Sequence, residues 1–432
     1  MTDLLIAGGR VIDPSRGTDG IADLYLVDGK IEAVGRNIPV GAGVRRIDAT
    51  GKIVAPGFID VHVHLREPGQ EHMETIASGA MAAAAGGFTG ICAMPNTDPV
   101  IDNQAAVGFV VRQAIRAGKA RVYPIGCVSL GQKGLQLAEF GEMVAAGAVA
   151  VSDDGNPVAS SQLMRTALEY AKVFGIPVAD HCEDPTLASG VMHEGIVATR
   201  LGLKGIPAAA EEIMVARDLI LAQLTGGHVH LCHMSTRGSV ALIRRAKDLG
   251  IHVTAEATPH HFSLTHDWCE GYNTNAKMSP PLRESADVEA IRQGLKDGTI
   301  DCVATDHAPH HYDAKQREFD EAPNGIVGLE TAIGVAGRDL VAAGVLSLPE
   351  LVARMSTTPA RIFRLPGGTL AVGAPGDVVV FDPARRWTVE ARDLHSKSTN
   401  SPYLGQTLVG QADLTTVGGR VVFERSVAKT DG

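Results

Sequence analysis

The chain has 432 residues, 45% of them hydrophobic and 20% charged, a balance that supports a large buried core and excludes a disordered chain. Its 39 basic and 49 acidic residues leave a net charge of −10 without a Lys/Arg run, so neither nucleic acid nor an anionic membrane surface is expected as a partner. The 49 glycines and 22 prolines follow no short period, which removes collagen-like and low-complexity readings.

The N-terminal stretch MTDLLIAGGRVIDP carries an acid at position 3 and no basic run, so no secretory signal is expected. Through about residue 50 the pattern is β: DLLIAGGRVID, ADLYLVDGKIEAVG and RRIDATGKIVAPG, with Asp28-Gly29 as a hairpin turn between alternating apolar positions. Thr75 to Thr97 is uncharged for 23 residues, but its glycines and alanines read as a buried helix followed by a strand, not as a membrane span.

From residue 57 onward, short apolar strands alternate with helix-length stretches. The strands are expected at 57–65, 88–95, 120–129, 148–154, 176–183, 228–235, 252–261 and 301–309. Helices are expected at 103–117, 161–174, 208–225, 237–249 and 285–297. Eight such repeats over roughly 300 residues predict an α/β fold of the (β/α)₈, TIM-like barrel type. A doubly wound sheet shares the periodicity, but no glycine-rich phosphate loop follows the first strand. The last 60 or so residues return to β patterning with GDVVVFDP and TTVGGRVVFER, and Gly8-Gly9-Arg10-Val11 is echoed by Gly418-Gly419-Arg420-Val421. The expected organisation is residues 1–54 and 367–432 forming a small β-sandwich domain around a barrel at 55–366.

The six cysteines (Cys92, Cys127, Cys182, Cys232, Cys269 and Cys302) form no CxxC pair and suit a reducing cytoplasm. Cys182 and Cys232, beside polar strand ends, are expected to alternate away from the pocket and pack between strands and helices.

Polar residues gather at the C-terminal strand ends, which open on one face of a barrel. They are His62 and His64, Asn96, Asp153-Asp154, His181 and Glu183, His233, His260-His261, and Asp306-His307. Two residues apart on a strand, His62 and His64 share a side and suit one metal, with Asp60 placed to orient a ligand. Alone, such a pair also reads as polar residues leaving a strand, and a single His181, His233 or Asp306 as an interior or capping residue. Their joint placement at five strand ends favours one nitrogen–oxygen metal centre, Zn²⁺ before Mn²⁺, Co²⁺ or Fe²⁺. Four histidines and two carboxylates exceed the needs of one tetrahedral ion, which points to two metals acting on a carbonyl and a bridging water.

VAPGFIDVHVHLREPG (54–69), AMPNTDP (93–99), SDDG (152–155), DHCED (180–184), CHMST (232–236), AEATPHH (255–261), KMSPPLR (277–283) and ATDHAPH (304–310) together resemble the amidohydrolase superfamily, and within it the bacterial-type (class I) dihydroorotases. The resemblance covers essentially the whole chain. It implies a cytoplasmic enzyme interconverting N-carbamoyl-L-aspartate and L-dihydroorotate with two Zn²⁺ per chain. His62, His64 and Asp306 would hold the first metal, and His181 and His233 the second. One carboxylate of Asp153-Asp154 would bridge them, and the family's spacing to the next histidine favours Asp154. Asp306 would also carry the proton. Related enzymes bridge with a carboxylated lysine, but no lysine lies between Lys133 and Lys172.

The substrate is a small anion. His64, Arg66, Asn96, Ser279, His310, Asn324 and Gly325 are its implied contacts, with Arg66 supplying a guanidinium fork. Arg66 could otherwise form a surface pair with Glu67 or Glu71. Ser279 stands where the family often has Asn, and Asn324 where it often has a bulky apolar residue. The charged segment 310–325 is a candidate lid. The resemblance further implies a homo-oligomer and leaves open a complex with aspartate transcarbamoylase. The alternatives are another cyclic amidase of the allantoinase or hydantoinase type, or a scaffold for aspartate transcarbamoylase, a role its full ligand set argues against.

Overall fold

The computed structural model describes residues 3–425, and two large sheets organise it. One draws on both ends of the chain. Leu4–Asp13 lies antiparallel to Thr18–Val27 and parallel to Arg45–Asp48 and Ile53–Pro56. Ile53–Pro56 pairs antiparallel with Val378–Thr388, which continues through Thr407–Val417 to Arg420–Glu424. At the turn into Lys30–Gly35, Asp28 and Gly29 take φ of 48° and 81°, the left-handed backbone that matches a two-residue turn to strand twist. Leu4, Val11, Leu24, Val54, Val378 and Leu414 build one apolar core for this sheet from both chain ends.

The other sheet is parallel. Its strands are Phe58–Val63, Phe88–Ala93, Arg121–Gly126, Ala150–Ser152, Val178–Asp180, Val229–Leu231, Val253–Ala257 and Cys302–Val303, and they neighbour one another in chain order. A bridge between Val63 and His307, with the His64 N–H donating to the His307 carbonyl at 2.8 Å, returns the eighth strand to the first. The sheet therefore closes into a barrel, and residues from its first and last strands meet.

Helices fill the crossovers because local signals start and stop them. Gln104–Ala117 begins at Asn103, whose side chain accepts from the Ala105 and Ala106 N–H groups, and ends at Gly118 with φ 58°. Arg237–Asp248 buries Val240, Ile243 and Ala246, three residues apart, which is one face of a helix laid on the strands. The uncharged segment from Thr75 resolves into the helix Ile76–Ala85 and the strand Phe88–Ala93. Among the described residues no helix is long and apolar enough to cross a membrane.

Strand alternation separates two cores. Phe58, Val63, Val151 and Val178 pack outward with the helices, while Ile59, Val61, Cys92, Ile125, Ala150, Ala179 and Cys302 fill the barrel interior. Ile362, Phe363 and Leu365 join that interior cluster. Arg121 in the barrel and Asp377 before the terminal sheet form a two-point ion pair at 2.7 and 3.1 Å, tying the two layers together.

Cysteine packing departs from expectation at one position. Cys182 does pack outward, its Sγ 3.4 Å from Asp218 on the helix Ala209–Thr225. Cys232 instead belongs to the interior cluster and lies in one group with His62 and Glu256. The following residue, His233, has φ 38°, and a left-handed residue breaks the two-residue period on which the outward assignment depended.

Candidate active site and metal centre

The C-terminal strand ends enclose a cavity of about 210 Å³ lined by His64, Arg66, Asn96, Asp154, His181, His233, Ser279, Asp306, His310 and Asn324. His62 lies directly beneath it and is fully buried. Three of the lining residues hold left-handed backbone: Arg66 at φ 60°, His233 at 38° and Asp306 at 47°. Such conformations cost roughly 1–3 kcal/mol each for non-glycine residues, and they concentrate here, where strand ends must re-aim side chains into a pocket.

The tautomers of His62, His64 and His181 follow from the partner on each outer nitrogen. His62 Nδ1–H donates to Glu256 Oε1 at 2.6 Å, leaving Nε2 bare, 3.4 Å from Asp154 Oδ2 and 3.5 Å from Asp306 Oδ1. His64 Nδ1–H donates to the Asn96 carboxamide oxygen at 2.8 Å, leaving Nε2 bare, 3.0 Å from Asp306 Oδ1. His181 Nε2–H donates to Glu183 Oε2 at 3.0 Å, and its bare Nδ1 lies 2.9 Å from His233 Nε2 and 3.6 Å from Asp154 Oδ1.

The Nε2 lone pairs of His62 and His64 thus face carboxylate oxygens with no hydrogen between them, and His62 Nε2 and His233 Nδ1 are buried nitrogens without a hydrogen-bond partner. Such convergence is unfavourable unless a cation sits among the lone pairs. The donors fall into two groups that share His62, one with His64 and Asp306, the other with Asp154 and His233. Nitrogen and oxygen donors, with the outer nitrogens of His62, His64 and His181 held, fit a metal ion.

The field of the site agrees. Burial opposes charge on Asp154 and Asp306, but His62 and its neighbours outweigh burial and hold both carboxyls far below the usual range. Glu256, buried between His62 and His230, is held down at about 2. Burial likewise opposes charge on His181, yet Asp154 and Glu183 lift it to about 10, so the carboxylates draw a cation to Nδ1, where a metal would take the place of a proton.

Asp153 and Asp154 point in different directions. Asp153 accepts from the Val128 and Ser129 N–H groups at 2.9 and 3.0 Å and from Ser129 Oγ, so its oxygens are spent on the neighbouring strand end. Asp154 is the one among the histidines. Asp60 does not touch an imidazole. It accepts from the His62 N–H at 3.1 Å and from Thr305 Oγ1 at 2.6 Å, pinning the backbone of the first strand to that of the eighth.

Arg66 is buried, and desolvation lowers its pKa to about 10 against the opposing pull of Asp306 and Asp154, so it stays charged at neutral pH. Its Nε donates to the Pro309 carbonyl at 3.2 Å, which holds the guanidinium at the cavity wall. Ser279 Oγ donates to Glu183 Oε2 at 2.6 Å, backing the His181 tautomer. His310 Nε2–H donates to the Asn324 carbonyl at 2.7 Å. Gly325 lies behind this wall and does not line the cavity. Its N–H donates to Lys277 O at 3.0 Å, and a Cβ there would come within 2.7 Å of Ala308 O. His261 is occupied by Thr258 and the Pro280 carbonyl, and His260 belongs to neither donor group.

The segment 310–325 lies packed down. Lys277 Nζ donates to the Asp320 and Ala322 carbonyls, and the buried Lys315 donates to those of Pro323 and Gly325.

Glu256 was not foreseen as a site residue, although it stands inside AEATPHH. Its second oxygen accepts from His230 Nε2–H at 3.0 Å, and His230 Nδ1 then accepts from the Thr254 hydroxyl at 2.8 Å. That hydroxyl accepts from His228 Nε2–H at 2.8 Å, so an unbroken chain runs from His62 down the barrel to the opposite end.

A family model described as dihydro-orotase-like matches residues 51–239, and an amidohydrolase family model matches residues 222–423. The chain is 55% identical over 423 residues to a dihydroorotase of Citrifermentans bemidjiense, covering 98% of this chain and 100% of that one. It is 53% identical to one of Geobacter metallireducens with the same coverage. Among solved structures, L-hydantoinase (dihydropyrimidinase) from Arthrobacter aurescens superposes with a TM-score of 0.87 at 27% identity, covering 98% of this chain and 96% of that one. Dihydropyrimidinase from Brevibacillus agri superposes with a TM-score of 0.85 at 25% identity, covering 98% and 95%.

Proposed function

The chain belongs to the dihydroorotase family of the amidohydrolases, and from its site we propose how it opens and closes the ring of L-dihydroorotate. It is a hydrolase of a cyclic amide bond, with N-carbamoyl-L-aspartate as the open-chain partner. The observation that carries the reading is the convergence of bare imidazole nitrogens on Asp154 and Asp306 beside a buried, charged arginine.

His62, His64 and Asp306 would hold one Zn²⁺, His181 and His233 a second, and Asp154 would lie between the two. Zinc in such a site polarises a carbonyl and lowers the pKa of a water toward neutrality. The remaining work falls to side chains. The Arg66 fork pairs with the substrate carboxylate, assisted by the Asn96 amide N–H, since the Asn96 oxygen is committed to His64. Ring opening needs a base to take a proton from the attacking water and an acid to deliver it to the leaving amide nitrogen. Asp306, held ionised beside His64, serves as both in turn, and ring closure uses the same carboxylate in reverse. Ser279 supports Glu183, which in turn holds His181.

The hydantoinase-type alternative has support in the fold likeness. Against it, Asp154 occupies the space between the histidines, and no lysine stands within that stretch of chain to take a bridging carbamate. Metal-loaded protein assayed in parallel on dihydroorotate, hydantoin and allantoin tests the reading. Turnover of dihydroorotate alone, or far above the others, is expected, and preference for hydantoin or allantoin would overturn it.

A further inference from the structure

The far end of the barrel, opposite the candidate active site, holds a second cavity of about 430 Å³. It sits where the strands Val178–Asp180, Val229–Leu231 and Val253–Ala257 begin, and its lining includes the cations Lys172, Arg361 and Arg364 and the imidazoles His228 and His252. No acidic side chain lines it among the described residues, in a chain whose net charge is −10.

Part of this positive charge has a structural use. Lys172 Nζ donates to the Thr225 carbonyl at 3.1 Å, at the C-terminal end of the helix Ala209–Thr225, where a cation offsets the helix dipole. Arg361, in the last turn of the helix Thr358–Ile362, and Arg364, over the Gly175 that closes the helix Ser161–Phe174, also lie at helix C-terminal ends, but no carboxylate pairs with either. Both are exposed, and neither guanidinium has a hydrogen-bond or ion-pair partner among the described residues. Arg364 itself has φ 54°, and its guanidinium rests over Gly175, where an added Cβ would lie 2.3 Å from Nη1. The backbone there admits a cation where any larger residue would displace it.

Beside the arginines, His228 and His252 stack with ring centroids 4.1 Å apart and 13° between planes. Burial, with His252, His230 and Arg364 adding like charge, holds His228 at about 3. The imidazole is therefore neutral, the positive charge of the site is that of Lys172, Arg361 and Arg364, and no carboxylate lines the cavity to offset it. Guanidinium forks match phosphate oxygens, and a flat imidazole pair offers a face for a planar ring. The volume falls within the range of small-molecule sites.

We propose that this cavity binds a phosphate-bearing small anion through Arg361, Arg364 and Lys172, with the His228–His252 pair beside it. The site lies at the outer end of the hydrogen-bond chain that starts at His62, and it is separate from the catalytic pocket.

Calorimetric titration of the full-length, metal-loaded protein at low salt, with inorganic phosphate and with AMP as probes, tests this. One saturating event per chain is expected. It should weaken by about ten-fold or more in Arg361→Gln/Arg364→Gln, a loss of roughly 1.4 kcal/mol or more. Turnover without added anion should be unchanged, because neither arginine touches the catalytic pocket. Tighter binding of AMP than of phosphate would assign a role to the stacked histidines, and equal binding would assign the site to bare phosphate. His252→Glu, a surface change that adds an opposing charge, should give a similar loss and serves if the double variant unfolds. No saturation with either probe to millimolar concentration, or equal binding by wild type and variants, would overturn the proposal.

Discussion

Asp306 Oδ1 lies 3.0 Å from His64 Nε2, although 242 residues separate the two along the chain. Barrel closure through Val63 and His307 makes that approach possible, and the Asn96 hydrogen bond keeps the facing nitrogen without a proton. Asp306 thus has no neutral donor to satisfy it, which leaves the carboxylate available both to a cation and to a travelling proton.

Replacing Asp306 with Asn keeps the shape and removes the base. Turnover should fall by about 10²–10⁴-fold, the usual contribution of a positioned acid–base group. Steady-state assay in both reaction directions, with metal content measured on the same sample, checks this. Near-normal turnover with metal retained would remove Asp306 as proton carrier.

Glu256→Gln retains an acceptor for one of its two histidine partners but loses the ionised carboxylate that fixes the His62 tautomer. Metal affinity should drop about 10–100-fold, as is typical when a ligand's outer partner is lost. Competition with a chromogenic chelator reads the change, with circular dichroism as the control for folding. Unaltered affinity would make Glu256 a structural residue only.

Arg66→Met should raise KM for dihydroorotate with a smaller effect on kcat. One charged hydrogen-bond partner is worth about 1.5–3 kcal/mol, or roughly 10–150-fold. An unaltered KM would exclude Arg66 from substrate binding.

Lys315 offers a pH test outside the donor groups. Burial, reinforced by Lys277, lowers its pKa to about 7, against roughly 10.4 for an unfolded lysine. Between those values the unfolded chain binds the extra proton, so the stability contributed at this position rises with pH from about 7 towards 10. Lys315→Met lacks the titration. The stability of wild type relative to this variant should therefore grow by up to about 1.4 kcal/mol per pH unit across that window. Urea unfolding of both proteins at pH 7, 8 and 9 measures it, and a constant difference would contradict the assignment.

Much of this molecule was legible in its sequence because its signals are local. Asp28-Gly29 dictates its hairpin, and Asn103 and Gly118 bound their helix through hydrogen bonds a few residues long. The strand ends carry their polar residues in plain view. What escaped depends on backbone that leaves the regular period or on partners set by register. Cys232 was misassigned because His233 at φ 38° interrupts the alternation. Glu256 and His230 meet across adjacent strands, 26 residues apart, and nothing local to either announces the other.

Anomalous diffraction at the zinc edge from metal-loaded crystals tests the central claim most directly. Two peaks are predicted, one among His62, His64 and Asp306 and one against His181 and His233, with Asp154 between them. An active preparation whose crystals show no anomalous density at these side chains, or show it elsewhere, would contradict the account.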